Sequence, residues 1–390
     1  MKQLGIIFII LSVGILAYVL YANSRYSSVT RTFSPYSLIT SSWEFYKKKF
    51  INANGRVIDF SQNNITTSEG QSYAMLRSVW VDDKGTFDKV WHWTKTTLKR
   101  PDDNLFGWRW GQRSDKTYGF YDNGGNNSAA DADIDIALAL ILANKRWQDS
   151  SYLNDSKVIL KDIWNVETDT VQNNRFVLAG NWAKQKDTVI INPSYFAPYA
   201  YRIFAQVDTE HDWNSLIDPA YDLLNKSGKD PLDTNKAVGL PPDWMALSRS
   251  SGTYLKPNDQ NLRTTYSYDA VRVPWRIALD YSWNKDERAR LYLESSFEYL
   301  KNLYQQNGKL ASTYAHDGTV VINTENPVMY STFLGYLQIV DPSAAKKMYE
   351  EKILKLYSNE LNTFNTDIPY YEQNWLWFGT ALYNGFIKNF

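Results

Sequence analysis

From about Ser34 to the C-terminus, apolar residues recur three and four positions apart in segment after segment, the spacing of one face of an α-helix. The spacing predicts helices near 35–50, 69–80, 86–98, 130–147, 151–163, 193–206, 212–225, 268–283, 286–305, 328–338, 342–357 and 371–387. Ser34 before Pro35 and Asn192 before Pro193 read as caps followed by proline in the first turn, where its missing N–H costs nothing. Strand-like runs are few: Arg175 to Leu178, Thr188 to Ile191 and Thr319 to Ile322 read as short hairpin pieces. No repeat of fixed period stands out, which argues against a solenoid. About twelve helices joined by irregular loops predict one all-α domain over residues 35–390 with minor β-hairpins, its helices paired and closed into a ring. Length points the same way, because ordinary single cores stop growing at roughly 250–300 residues. The loops at 101–129 and 164–192 carry Trp108, Trp110, Trp182 and many Asn and Asp, and loops this long inside a domain are usually functional.

The first residues break the amphipathic pattern. Leu4 to Tyr21 is an apolar run of 18 residues without a charge, preceded by Lys2. As a helix it would reach about 27 Å, near the thickness of a bilayer core. It is longer than the roughly 7–15 residues of a signal-peptide apolar region, and Leu20 fits poorly three residues before a cut after Ala22. We therefore expect a cytoplasmic tip at 1–3, an uncleaved transmembrane anchor at 4–21, a polar linker at 22–34 and an extracytoplasmic domain at 35–390. Secretion after cleavage is the second choice. Arg25 and Arg31 on the far side of the run weaken the charge asymmetry that sets this orientation.

Composition removes several chemistries. With 42 basic and 42 acidic residues the chain is neutral, so no nucleic-acid partner is expected. The absence of cysteine excludes disulfides, thiol nucleophiles and thiolate metal sites. Three scattered histidines, at 92, 211 and 316, offer no metal-binding spacing, and no metal or cofactor is expected. The 15 Trp and 28 Tyr, by contrast, are enough to line a groove, and flat aromatic faces suit the apolar faces of sugar rings.

Three segments carry candidate chemistry. In Thr67-Ser68-Glu69-Gly70-Gln71-Ser72-Tyr73-Ala74-Met75, a carboxylate in the first turn complements the helix dipole and needs no catalytic role; alternatively Tyr73 and Met75 desolvate Glu69 and raise its pKa, as a general acid requires. In Ala130 to Leu142, Asp131, Asp133 and Asp135 alternate before an apolar helix. An EF-hand reading fails because Ile136 and Leu142 occupy its glycine and acidic positions. Capping accounts for one or two of these aspartates, and the repulsion of the third argues for a ligand. In Tyr268 to Arg276, Asp269 and Arg272 are three apart, either a structural ion pair or an arrangement that keeps Asp269 ionised as a general base.

Together the segments resemble glycoside hydrolase family 8, a family of endoglucanases, lichenases, xylanases and chitosanases. Ser68 to Met75 matches its S-E-G-Q-x-Y-x-M block, Ala129 to Trp147 its A-[ST]-D-[AG]-D signature, and Tyr268 to Trp275 its Y-D-A-x-R-x-P-W block; Tyr370 to Asn374 resembles its closing aromatic segment. The resemblance implies an (α/α)6 barrel and endo-acting, inverting hydrolysis of a β-1,4-linked polysaccharide of the glucan or cellulose type, with xylan, mixed-linkage glucan and chitosan as further substrates of the family. It implies Glu69 as proton donor, Asp269 as base and Asp131 as the residue holding the sugar at the cleavage point. Trp108, Tyr73, Tyr195, Tyr268, Arg272, Tyr370 and Tyr371 are expected to bind substrate. Ala130 departs from the signature by replacing its Ser or Thr, which would loosen Asp131 or alter a sugar contact. A tethered enzyme of this kind would trim an exopolysaccharide beside its synthase. The alternative is a non-catalytic glycan-binding or synthase-associated scaffold with the same barrel.

Overall fold

Burial sorts the helices into two kinds. In the computed structural model, which describes residues 34–390, α2 (Ser68–Val81), α4 (Ala130–Trp147), α6 (Pro198–Val207), α8 (Val273–Asn284), α11 (Pro327–Val340) and α13 (Tyr370–Tyr383) are buried over most of their surface. The helices α1 (Pro35–Phe50), α3 (Lys84–Trp93), α5 (Ser150–Val166), α7 (Ile217–Ser227), α9 (Glu287–Ser295), α10 (Glu298–Asn307) and α12 (Pro342–Met348) alternate with them along the chain. Most of these show one apolar and one polar face. The buried set packs in the order α2–α4–α6–α8–α11–α13. Tyr73 of α2 closes the ring edge-on against Trp375 and Phe378 of α13. Six inner helices are thus wrapped by an outer layer in which α9 and α10 share one position, the architecture of an (α/α)6 barrel.

Residues 39–390 make one compact unit; Pro35 to Leu38 form the opening turn of α1. The expected tip, the anchor and all but the last residue of the linker lie outside the described residues. Among the described residues no helix is long and apolar enough to cross a membrane. One predicted helix is two: 286–305 breaks at Ser296 and Phe297, where Phe297 takes a left-handed backbone (φ 60°) while its ring stays buried among Tyr266, Tyr292, Phe333 and Tyr336. Burial of the ring offsets the backbone strain. The predicted 342–357 helix also ends early as a regular α-helix, at Met348, and continues as irregular turns.

Inner helices cross closely where side chains vanish. A Cβ on Gly379 of α13 would lie 2.1 Å from the Ser331 carbonyl oxygen of α11. One on Gly335 of α11 would lie 2.9 Å from the Ala278 Cβ of α8. Gly379→Ala therefore forces these helices apart and is expected to cost about 1–3 kcal/mol, measured by urea unfolding; an unchanged midpoint would contradict this packing.

The strands are short and decorate the ring's loops. The sheet β1 (Thr66–Thr67), β2 (Arg109–Gln112) and β3 (Tyr118–Phe120) is antiparallel and ties the N-terminus of α2 to the 101–129 loop. The hairpin β4 (Thr168–Val171) and β5 (Asn174–Val177) precedes a second three-stranded sheet of β6 (Thr188–Ile191), β7 (Met245–Ser248) and β8 (Tyr254–Leu255). The hairpin β9 (Thr313–Tyr314) and β10 (Val320–Ile322) follows α10.

Candidate active site

Three inner helices begin with an acid. Glu69 is the second residue of α2, which Thr67 caps by accepting the Gly70 N–H at 3.0 Å. Asp131 is the second residue of α4, and its Oδ1 accepts the Ala132 N–H at 2.9 Å. Asp269 precedes a 3-10 turn, Ala270–Arg272, that runs into α8. Starting these helices at the same end of the ring collects the three carboxyls, and the partial positive charge of each helix start favours them there.

Arg272 joins them. Its Nη1 donates to Glu69 Oε2 at 2.9 Å and to Asp131 Oδ2 at 2.8 Å, and its Nη2 donates to Asp269 Oδ1 at 2.6 Å and to Ser194 Oγ at 2.8 Å. The guanidinium side chain is 1% exposed and Asp131 3%, whereas Glu69 and Asp269 keep 22% and 30%. Two carboxyls therefore face open space while a third and the cation lie beneath them. Bonds through one planar guanidinium keep the two bonded oxygens of Glu69 and Asp269 within roughly 8 Å of each other.

Electrostatics differs from the sequence expectation in direction. Burial is the main influence on Glu69 and pushes it up to about 7; Arg272 opposes this, and the charges of Asp131 and Asp269 add to it. Asp269 is also raised, to about 6, because burial outweighs Arg272, with Asp243 and Asp131 adding to the rise. Arg272 moderates the rise of Asp269 without reversing it. The order still separates the two, with Asp269 losing its proton at lower pH than Glu69.

The two exposed carboxyls open into a cleft of about 790 Å³. Asp131, Trp108, Tyr195, Tyr268, Tyr370 and Tyr371 line it as well. The Tyr370 hydroxyl donates to Glu69 Oε1 at 3.3 Å, and the Trp108 indole N–H donates to the Gly124 carbonyl at 2.9 Å. Two residues expected to touch substrate do not line the cleft. Arg272 is enclosed by its acidic partners, and the Tyr73 hydroxyl accepts from Arg272 at 3.3 Å while its ring packs on α13. Both sit beneath the floor, since a free guanidinium would be satisfied by solvent and this one is satisfied by carboxyls.

The aspartate run also resolves differently. Asp135 forms a two-pronged pair with Arg276 at 3.0 and 2.8 Å, Asp131 bonds Arg272, and Asp133 accepts the Phe106 N–H at 3.1 Å. Arg272, on the turn before α8, and Arg276 of α8 neutralise Asp131 and Asp135, while burial, with Glu167 beside it, pushes Asp133 toward its uncharged form, so the repulsion that had argued for a ligand is met within the protein. The hydroxyl missing at Ala130 does not leave Asp131 loose, because Arg272 and the Ala132 N–H hold both its oxygens.

Residues not singled out from sequence also line the cleft: Trp244, Asp59 and Asp259, while Trp182, noted only as a loop residue, packs 6.1 Å from Trp244. Their signal was weak, a lone aromatic or acid in a loop.

The model of glycosyl hydrolases family 8 matches residues 13–373. The chain belongs to this family. Its relatives include endoglucanase A of Acetivibrio thermocellus, 31% identical over 332 residues, which cover 81% of this chain and 64% of that protein. Endoglucanase C of Ruminiclostridium cellulolyticum is 30% identical over 85% of this chain and 69% of its own length. The crystal structure of an endo-1,4-D-glucanase from Vibrio fischeri aligns with a TM-score of 0.75 at 26% identity, over 88% of this chain and 94% of that one. The chain thus spans about two thirds of the length of these two curated relatives.

Proposed function

We propose that the chain is an endo-acting glycoside hydrolase that cleaves a β-1,4-linked glucan with inversion. The observation that carries this reading is a single guanidinium tying three carboxyls together at the floor of an aromatic cleft. Glu69 Oε2 accepts from Arg272, so the acidic proton rides on Oε1, where it can pass to the leaving glycosidic oxygen. Asp269 commits Oδ1 to Arg272 and leaves Oδ2 to draw a proton from the attacking water. Asp131, held on both oxygens, fixes the sugar at the point of cleavage. Trp108, Tyr195, Tyr268, Tyr370 and Tyr371 supply faces and hydroxyls for the sugars beside it. An inverting pair needs a separation of roughly 6.5–9.5 Å to admit water, and the upper limit of roughly 8 Å set by Arg272 lies inside that range.

The pH dependence follows from the two raised carboxyls. Activity needs Asp269 ionised and Glu69 protonated, so kcat/KM should fall below about pH 6 and above about pH 7, giving a narrow bell. A flat profile from pH 5 to 9 would contradict the assignment. Incubating the full chain in detergent with soluble β-1,4-glucan, mixed-linkage glucan, xylan and chitosan tests the substrate. Release of short oligosaccharides fastest from the β-1,4-glucan is expected, and no release from any of the four would overturn the reading.

For location, we propose that residues 4–21 anchor the domain at the outer face of a membrane, where it trims an exopolysaccharide beside its synthase. Apolarity and length support the anchor. Recovery of the chain in the membrane fraction after a high-salt wash is expected; a shortened chain found only in the medium would favour secretion after cleavage.

A further inference from the structure

Asp269 lies in an irregular stretch, and an irregular stretch needs something to hold it. That something is Asp243, from the loop before β7, only 4% exposed. Its Oδ1 accepts three backbone N–H groups, those of Ser267 at 3.0 Å, Asp269 at 3.2 Å and Ala270 at 2.8 Å. Its Oδ2 accepts the hydroxyls of Thr265, at 2.7 Å, and Ser267. Its own N–H donates to the Thr265 carbonyl at 2.6 Å. These contacts make a cap supplied from 26 residues upstream, closing the turn that leads into α8, whose own start has no side-chain cap. All five donors to the carboxylate are uncharged: burial raises the pKa of Asp243, and the Ala270 N–H, the Ser267 and Thr265 hydroxyls and the Ser267 N–H oppose that rise by solvating its negative charge with dipoles.

We propose that Asp243 is the positioning residue of the Asp269 base: its carboxylate sets where the Asp269 carboxyl sits and presents a negative charge to it. This rests on the reading of Asp269 as the base. The charged and titratable groups facing Asp269 are Arg272 on its own turn, Asp243, Asp131 of α4, Glu69 of α2 through Arg272, Tyr195, and Tyr371 of α13. Among these, Asp243 opposes Arg272 and favours the protonated form of Asp269. It thereby places the base close to the working pH, where a proton acceptor is most effective. A purely structural cap would hold the loop equally well as a neutral amide.

Asp243→Asn separates the two roles. The amide oxygen keeps the three backbone N–H groups, and the two hydroxyls turn to accept from the amide nitrogen, so the loop keeps its shape. Removing the charge lets Asp269 lose its proton more readily. The acid limb of kcat/KM should therefore move to lower pH by about half a unit or more. We also expect kcat at the optimum to fall about 10-fold with KM within about two-fold, because the base is then weaker and less firmly held. A folded Asp243→Asn protein with an unmoved acid limb overturns the inference. If Asp243→Asn does not fold, the double variant Thr265→Val/Ser267→Ala removes two donors at half-buried positions and leaves the backbone clamp; kcat lowered about three-fold at constant KM supports the inference, and unchanged kcat overturns it. Asp269→Asn measured alongside keeps the two readings apart: full activity in that variant refutes Asp269 as base, and the positioning role with it, whatever Asp243→Asn does.

Discussion

A Glu69→Gln chain is expected to lose about 10³-fold in kcat on a soluble β-1,4-glucan while binding cello-oligosaccharides with nearly unchanged affinity. The amide has the size of the acid and its oxygen still accepts from Arg272 Nη1, so the cleft keeps its shape. What disappears is the proton that must reach the leaving oxygen. Leaving-group departure then waits on water, which is a poorer and unpositioned acid. Reducing-sugar release and calorimetric titration measure the two halves of this expectation. A loss below about ten-fold would mean that another group donates the proton, and loss of binding would mean that Glu69 holds the sugar and does not protonate it.

Arg272→Met should damage the protein most. The guanidinium serves Glu69, Asp131 and Asp269 at once from a position with almost no solvent. Methionine fills a similar volume but leaves the buried Asp131 and the half-buried Glu69 and Asp269 without a counter-charge, a loss of about 3–5 kcal/mol for breaking the buried pair. Activity should fall to background because no member of the acidic group keeps its place. The pH dependence has a definite sign. Glu69 and Asp269 are already raised by burial, and removing the cation raises them further. A carboxyl whose folded pKa exceeds its unfolded value takes up protons on folding, so its penalty is absent below about pH 4 and grows as pH rises through the folded value. The variant should therefore lie closer to wild type at pH 5 than at pH 8 in thermal unfolding, and a deficit that shrinks toward pH 8 would contradict this account.

Local chemistry was legible where it was strong. The helix over 130–147 and the strand Thr188 to Ile191 match the structure at both ends, since an uninterrupted apolar run and a β-branched run each have one solution. The short motifs around Glu69, Asp131 and Asp269 could be read as candidates because each offers an acid at a helix start. Their partners could not. Arg272 meets Glu69 across 203 positions and Asp131 across 141, and nothing local signals either contact. The i,i+3 spacing did reveal the bond to Asp269 but led to a lowered pKa, because burial, which reverses the sign, is a property of the closed ring. Asp243 sits in a Pro-Pro-Asp-Trp stretch that reads as an ordinary loop. The break at Phe297 went unseen for the opposite reason: neither glycine nor proline marks it, and it exists because tertiary contacts hold the ring.

The most direct test of a protonated Glu69 and an ionised Asp269 on opposite sides of a glucan is the configuration of the newly formed reducing end. Proton NMR of a soluble β-1,4-glucan digest, read within the first minutes before mutarotation, should show the α-anomer appearing first and the β-anomer only later. A β-anomer formed first would contradict the account, because it would mean that a carboxylate, and not a water activated by Asp269, attacks the sugar.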